Sequence, residues 1–234
     1  MCSSDLGPKK NRIYFGYGTN QGGVLQIVDR DKLLNGPREP TPANLLYPQI
    51  TRLDMMPNNG AHTVFPLLGV DVPGFAKSLR GKQRDFVVIT DESIQKECME
   101  GMQMSWFVDI STDTKPFGVS NWSVPENSGN YCTKGGRFGT HSSNENMTPL
   151  FYKRIMFFAY FNAGVRAVDV RDPFHPKEIA SFVPAMTKNT VVLETPAGLG
   201  ASMPFTEVSN RRAIQTNNVE VDDRGYIYIV EIGR

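Results

Sequence analysis

Two of the three histidines in this chain sit in similar surroundings. His62 lies in GAHTVFP and His141 in GTHSSNE, 79 positions apart (141 − 62). Imidazole nitrogens delivered from separate strands are common ligands for transition metals. The matching position further along holds Asn217 and Asn218, whose amides both donate and accept hydrogen bonds. His62, His141, Asn217 and Asn218 are therefore the candidate ligand set. No cofactor is predicted from them, although a divalent metal in a central channel, held by His62 and His141, is compatible with the set. A plainer reading competes with it: polar residues at one register commonly hold only water and neighbouring backbone. Two imidazoles without a third, or a thiolate, specify no particular metal. His175, between Phe174 and Pro176, reads as part of a surface turn.

Three aspartates also recur in a shared frame. Asp29 closes VLQIVD, Asp109 closes SWFVD and Asp169 closes VRAVD. An array of carboxylates could do acid–base chemistry. A residue repeated once per unit, however, more often serves the geometry of the unit, by accepting hydrogen bonds from its own turn. The structural role is expected here. No serine lies in a nucleophile elbow. Gly16-Tyr17-Gly18 opens no helix, so it is no nucleotide cradle. Gly135 to Gly139 (GGRFG) precedes His141; its glycines suit either a ligand's close approach or a tight loop. No catalytic residue is assigned, and a non-enzymatic role is favoured.

Short runs must position these residues, and they read as strands. Arg12 to Tyr17, Asp85 to Thr90 and Arg154 to Tyr160 each precede one of the Val-Asp runs, and Tyr226 to Val230 is a fourth of the same type. β-branched and aromatic runs bounded by Gly, Pro, Asn and Asp are strand signals. Phe117 to Ser120 and Glu178 to Val183 supply a further strand after two of the Val-Asp turns. The clearest unit spans Thr140 to Val183, with strands near Thr140 to Asn144, Arg154 to Tyr160, Val165 to Val170 and Glu178 to Val183. Four antiparallel strands in about 44 residues make one blade of a β-propeller. The repeat aspartates are 80 and 60 positions apart, more than the roughly 40–50 of a common blade, so long inserted loops are expected. Glu92 to Met104 reads as such an insertion, with one or two helical turns. Asp71 to Lys82 and Ala185 to Arg212 read as others. The fold expected is all-β: a partial propeller of about three four-stranded blades and part of a fourth, at 7–55, 60–125, 139–184 and 214–230. First strands of blades line a propeller's central channel, which would bring His62, His141 and Asn217-Asn218 together.

These residues resemble the bacterial propellers named for a Leu-Val-Ile-Val-Asp (LVIVD) repeat. DPFHPKEIASF (Asp172 to Phe182) is similar to that family's Asp-Pro turn and fourth strand, GVRAVDV (Gly164 to Val170) to its third, and NNVEVDDRGYIYIV (Asn217 to Val230) to its first two. DRDKLLNG (Asp29 to Gly36) departs from the pattern, and Thr112 to Pro116 keeps only the later proline. The resemblance implies an exported or surface protein that binds a protein or small-molecule ligand on its loop face. It implies no shared activity. The alternative function is a metal-dependent propeller hydrolase or oxidase using His62 and His141. Export would permit a disulfide between Cys98 and Cys132, or the two could remain free thiols.

Composition bounds the rest. Net charge is +1, with 40% apolar and 21% charged residues. That fits a globular chain and offers no basic stripe for nucleic acid. The longest apolar stretch, Ile155 to Tyr160, is far below the roughly 20 residues of a membrane helix. The two ends look foreign. Met1 to Leu6 matches the translation of a sequencing adapter, GTG TGC TCT TCC GAT CT, and Glu231 to Arg234 matches its opposite end, GAG ATC GGA AGA. The expectation is adapter-derived residues at 1–6 and 231–234 around an incomplete propeller at 7–230.

Overall fold

A computed structural model describes residues 11–18, 22–55, 60–74, 83–101, 103–191 and 212–233. Met1 to Leu6, and most of the Asp71–Lys82 and Ala185–Arg212 loops, lie outside them. The described chain is all-β apart from two short helices and one 3-10 turn. Four antiparallel sheets follow one another along the sequence. Sheet 1 holds β1 (Arg12–Tyr17), β2 (Val24–Asp29) and β3 (Gln49–Asp54). Sheet 2 holds β4 (Ala61–Asp71), β5 (Gln83–Asp91), β6 (Ser105–Asp109) and β7 (Phe117–Trp122). Sheet 3 holds β8 (Ser142–Ser143), β9 (Ile155–Ala159), β10 (Val165–Asp169) and β11 (Lys177–Phe182). Sheet 4 is the hairpin β12 (Gln215–Val221) and β13 (Ile227–Ile232). Within each sheet the strands pair in sequence order, and no sheet closes on itself.

Side-chain alternation explains how the sheets stack. Successive residues of a strand point to opposite faces. On β5, Phe86 and Val88 join one core while Val87 and Ile89 join another. The first core links sheets 2 and 3 through Phe65, Phe107, Trp122, Phe158 and Tyr160. The second links sheets 1 and 2 through Tyr14, Leu25, Ile27 and Val64. β9 repeats the device: Met156 and Phe158 face sheet 2, while Phe157 and Ala159 face Val219 and Val221 of sheet 4. This is why DFVVIT and RIMFFAY are continuously apolar instead of alternating: their strands are covered on both faces. The last strands are covered least, and β11 and β13 are largely exposed. The sheets meet in series, β1 against β4, β4 against β8, and β8 against β12.

The turns are set locally. Gly164, at φ +78°, closes the β9–β10 hairpin, and a Cβ there would lie 2.1 Å from the Phe182 carbonyl oxygen. The segment after Asp29, which departs from the Asp-Pro turn pattern, contains the helices α1 (Arg30–Asn35) and α2 (Pro42–Leu46). Asp29 caps α1 by accepting from Lys32 N, and Thr41 caps α2 with Pro42 at its first position. The expected helical turns between Glu92 and Met104 are not found among the described residues. That segment pairs with the chain around Arg137 instead, through bridges from Lys96 and Glu97, and the Glu100 carboxylate accepts from Ile94 N and Gln95 N. Glu231 and Ile232 extend β13, opposite Thr216 and Gln215. No described helix is long and apolar enough to cross a membrane.

Candidate functional site

Three of the four sequence candidates meet where the first strands come together. His62 is the second residue of β4. Ala61 pairs with Asp91 at the end of β5, and Glu92 N donates to the Gly60 carbonyl at 2.8 Å. The β4–β5 ladder thereby sets the Glu92 carboxylate beside His62. His141 directly precedes β8 and is held to β9 by its backbone N–H, 3.0 Å from Ala159 O. Its ring stacks on that of His62 with centroids 4.4 Å apart. Asn217 lies at a bulge in the β12–β13 pairing, a device that re-aims backbone groups. Its carbonyl oxygen accepts from His141 Nδ1. Asn218 faces elsewhere: its Oδ1 accepts from Ser142 Oγ at 2.8 Å and from Val219 N at 2.9 Å, bracing β8 to β12.

Glu92, Arg137 and Phe161 complete the cluster. Glu92 Oε1 is 3.6 Å from His141 Nε2, and Glu92 Oε2 is 3.8 Å from His62 Nε2. Arg137 donates from one terminal nitrogen to Glu92 Oε1 at 3.3 Å and to Ser93 O at 3.2 Å. Its guanidinium lies 3.8 Å over the Phe161 ring, which also sits against His141. The two open-φ glycines of GGRFG that matter here back onto protein: Cβ atoms would lie 2.8 Å from Gln215 at Gly136 and 2.6 Å from Ser93 at Gly139.

The cluster combines one ion pair, Glu92 with Arg137, and two imidazoles. Burial lowers both imidazoles from their ordinary value, that of His141 to about 4, with the neighbouring His62 adding to the effect and Glu92 opposing it. Near neutral pH both rings are uncharged. A carbonyl oxygen only accepts, so Nδ1 of His141 carries the proton and Nε2 is a lone pair. That nitrogen lies 3.6 Å from Glu92 Oε1. Burial also lowers the Arg137 guanidinium, against the pull of Glu92. His62 Nδ1 contacts Thr63 Oγ1 at 3.1 Å, which leaves its Nε2 on the Glu92 side.

A ligand atom from each of His62, Glu92 and His141 lies within 4.8 Å of the others. A tetrahedral centre with bonds near 2.1 Å separates neighbouring donors by about 3.4 Å. Glu92 reaches His141 through Oε1 at 3.6 Å and His62 through Oε2 at 3.8 Å, so both carboxylate oxygens face the imidazoles, and a single oxygen with the two ring nitrogens spans up to 4.8 Å. Two imidazoles and one carboxylate suit Zn(II), Fe(II) or a similar ion and leave coordination positions open to water or another ligand. His141 has the outer partner such ligands usually have, a carbonyl on its second nitrogen.

The other singled-out residues lie apart from this cluster. Asp29 Oδ1 accepts from Lys32 N, Asp109 Oδ1 from Ser111 N and Asp169 Oδ1 from Arg171 N, all at 2.9–3.0 Å. Each carboxylate closes its own turn. Asp109 also takes Arg84 Nε at 2.7 Å. His175 is exposed and hydrogen-bonds Asp172 across its turn. Cys98 and Cys132 are joined in a disulfide.

Fold and cluster together define an all-β protein of stacked antiparallel sheets with a candidate metal centre where first strands meet. No protein-family model and no curated protein matches the chain, so the reading of the site rests on its geometry.

Proposed function

We propose that this chain is part of an LVIVD-repeat-type β-propeller, an exported binding protein, that holds one divalent transition metal between His62, Glu92 and His141. The propeller reading is supported by the order of the sheets: each follows the last in sequence, stacks on it face to face, and turns its first strand toward the next. The metal reading rests on one observation. Two partly buried imidazoles and a carboxylate converge, with His141 Nε2 and His62 Nε2 at 3.6 and 3.8 Å from the two Glu92 oxygens. A metal ion would satisfy all three donors.

The open coordination positions favour a second reading of the same centre, a metal-dependent enzyme. A metal held by three protein donors can lower the pKa of a bound water and polarise an oxygen of a substrate.

The test is a cobalt(II) titration of the purified chain, followed by absorbance and by elemental analysis after gel filtration. One cobalt per chain is expected, lost in the variant carrying both His62→Ala and His141→Ala and weakened in Glu92→Gln. A wild-type chain that retains neither cobalt nor zinc, or a double variant that binds as well as wild type, overturns the proposal.

A further inference from the structure

Two segments deliver the charged groups around the imidazoles. The chain after β5 carries Glu92, and the loop before β8 carries Arg137. One covalent bond joins them, Cys98 to Cys132. Cys98 is six positions beyond Glu92, and Cys132 is five before Arg137. Both cysteines are only partly buried.

Glu97, next to Cys98, is the brace between the segments. Its N–H donates to Gly136 O at 2.5 Å, its carbonyl accepts from Phe138 N at 3.2 Å, and its Oε1 accepts from Gly135 N at 2.9 Å. It does so at φ +51°, a left-handed conformation that a glutamate holds only when its surroundings impose it. The disulfide ties the next residue, Cys98, to the same loop. Gly135 and Gly136, which Glu97 holds, lead directly into Arg137.

We propose that the Cys98–Cys132 disulfide sets the affinity of the His62–Glu92–His141 centre, making metal retention depend on redox state; this rests on the metal reading above. A dithiol reductant opens the switch. One of its thiolates attacks a protein sulfur and forms a mixed disulfide, and its second thiol displaces the protein. The reductant leaves as its own disulfide, and two electrons and two protons end on Cys98 and Cys132 as thiols.

The experiment measures cobalt(II) affinity by chelator competition for three forms: the oxidised chain, the variant with both Cys98→Ser and Cys132→Ser, and Glu97→Gly with the disulfide intact. The serine variant keeps new thiolates away from the metal. The glycine variant relieves the φ strain and removes the Oε1 brace without touching the covalent link. Circular dichroism shows that each form is folded at the measuring temperature. Outer-shell changes usually cost 10–100-fold in metal affinity, so a loss of about that size is expected in the serine variant and a smaller loss in Glu97→Gly. If the serine variant does not fold, the wild-type chain reduced by a dithiol and alkylated at both thiols decides: weakened binding there carries the proposal, and unchanged binding overturns it. Equal affinity in all three forms overturns the redox proposal and leaves the metal centre standing. No cobalt on the oxidised chain overturns the metal reading itself.

Discussion

Acidification should unfold this protein through His141 in particular. The group is depressed in the folded state, so folded His141 stays neutral while the unfolded ring titrates near its ordinary 6.5. A depressed histidine costs nothing above the unfolded pKa. Stability is lost as pH falls from 6.5 toward the folded value of about 4. With those two values the loss between pH 7.5 and pH 5.0 is about 2 kcal/mol at 1.36 kcal/mol per pKa unit, levelling off near 3 kcal/mol below pH 4. His141 is mostly buried, its side chain 13% exposed, so solvent screening removes little of this. The comparison is urea unfolding of wild type and His141→Asn at both pH values, with chelator present to remove metal. Asparagine keeps a donor for the Asn217 carbonyl and cannot titrate. Wild type should lose about 2 kcal/mol more than the variant across the interval. Equal losses would refute the claim that burial holds this ring neutral, and the lone-pair argument for the metal would fall with it.

Two further expectations concern the scaffold. Phe158 is fully buried between sheets 2 and 3 and stacks on Trp122 with centroids 5.0 Å apart, so Phe158→Ala should cost about 3–5 kcal/mol in urea unfolding; a cost below about 1 kcal/mol would show that the sheets do not share this core. The repeat aspartates should differ from one another. Asp109→Ala, which strands Arg84 beside a buried site, should cost about 1–3 kcal/mol, while Asp169→Ala, whose partner Arg171 is solvent-exposed, should cost under about 1 kcal/mol; equal costs would contradict this ranking.

The strands were legible because their signals are local. DFVVIT, RIMFFAY and the Asn-Ala-Gly turn after Phe161 carry their pairing and their turn chemistry in a few adjacent residues. The meeting of His62 with His141 was also legible, from matching surroundings at one register. Glu92 was not. Its place beside His62 follows from the β4–β5 pairing, a contact between residues 30 positions apart. The only sequence signal was an acidic residue just past a strand that runs antiparallel to the one bearing His62. Arg137 was seen only as part of a glycine-rich loop. The Glu92–Met104 segment misled because its spacing suits a helical turn, while its backbone partners lie 40 positions away around Arg137. α1 and α2 were missed although Thr41-Pro42 is a helix-start signal, because the Val-Asp frame drew that segment into a turn.

The double-faced strands β5 and β9 have a consequence for how the molecule comes apart. Sheets 2 and 3 are covered on both sides, whereas sheets 1 and 4 have one neighbouring sheet each among the described residues. Stability in such a stack is close to a sum of nearest-neighbour terms, so opening proceeds inward from the ends. Amide protons of the first and fourth sheets should exchange with solvent first and those of β5 and β9 last. His62, Glu92 and His141 all belong to the two slow layers, so the cluster outlasts the fraying of either end, while the Asn217 carbonyl that orients His141 is on the layer that frays early.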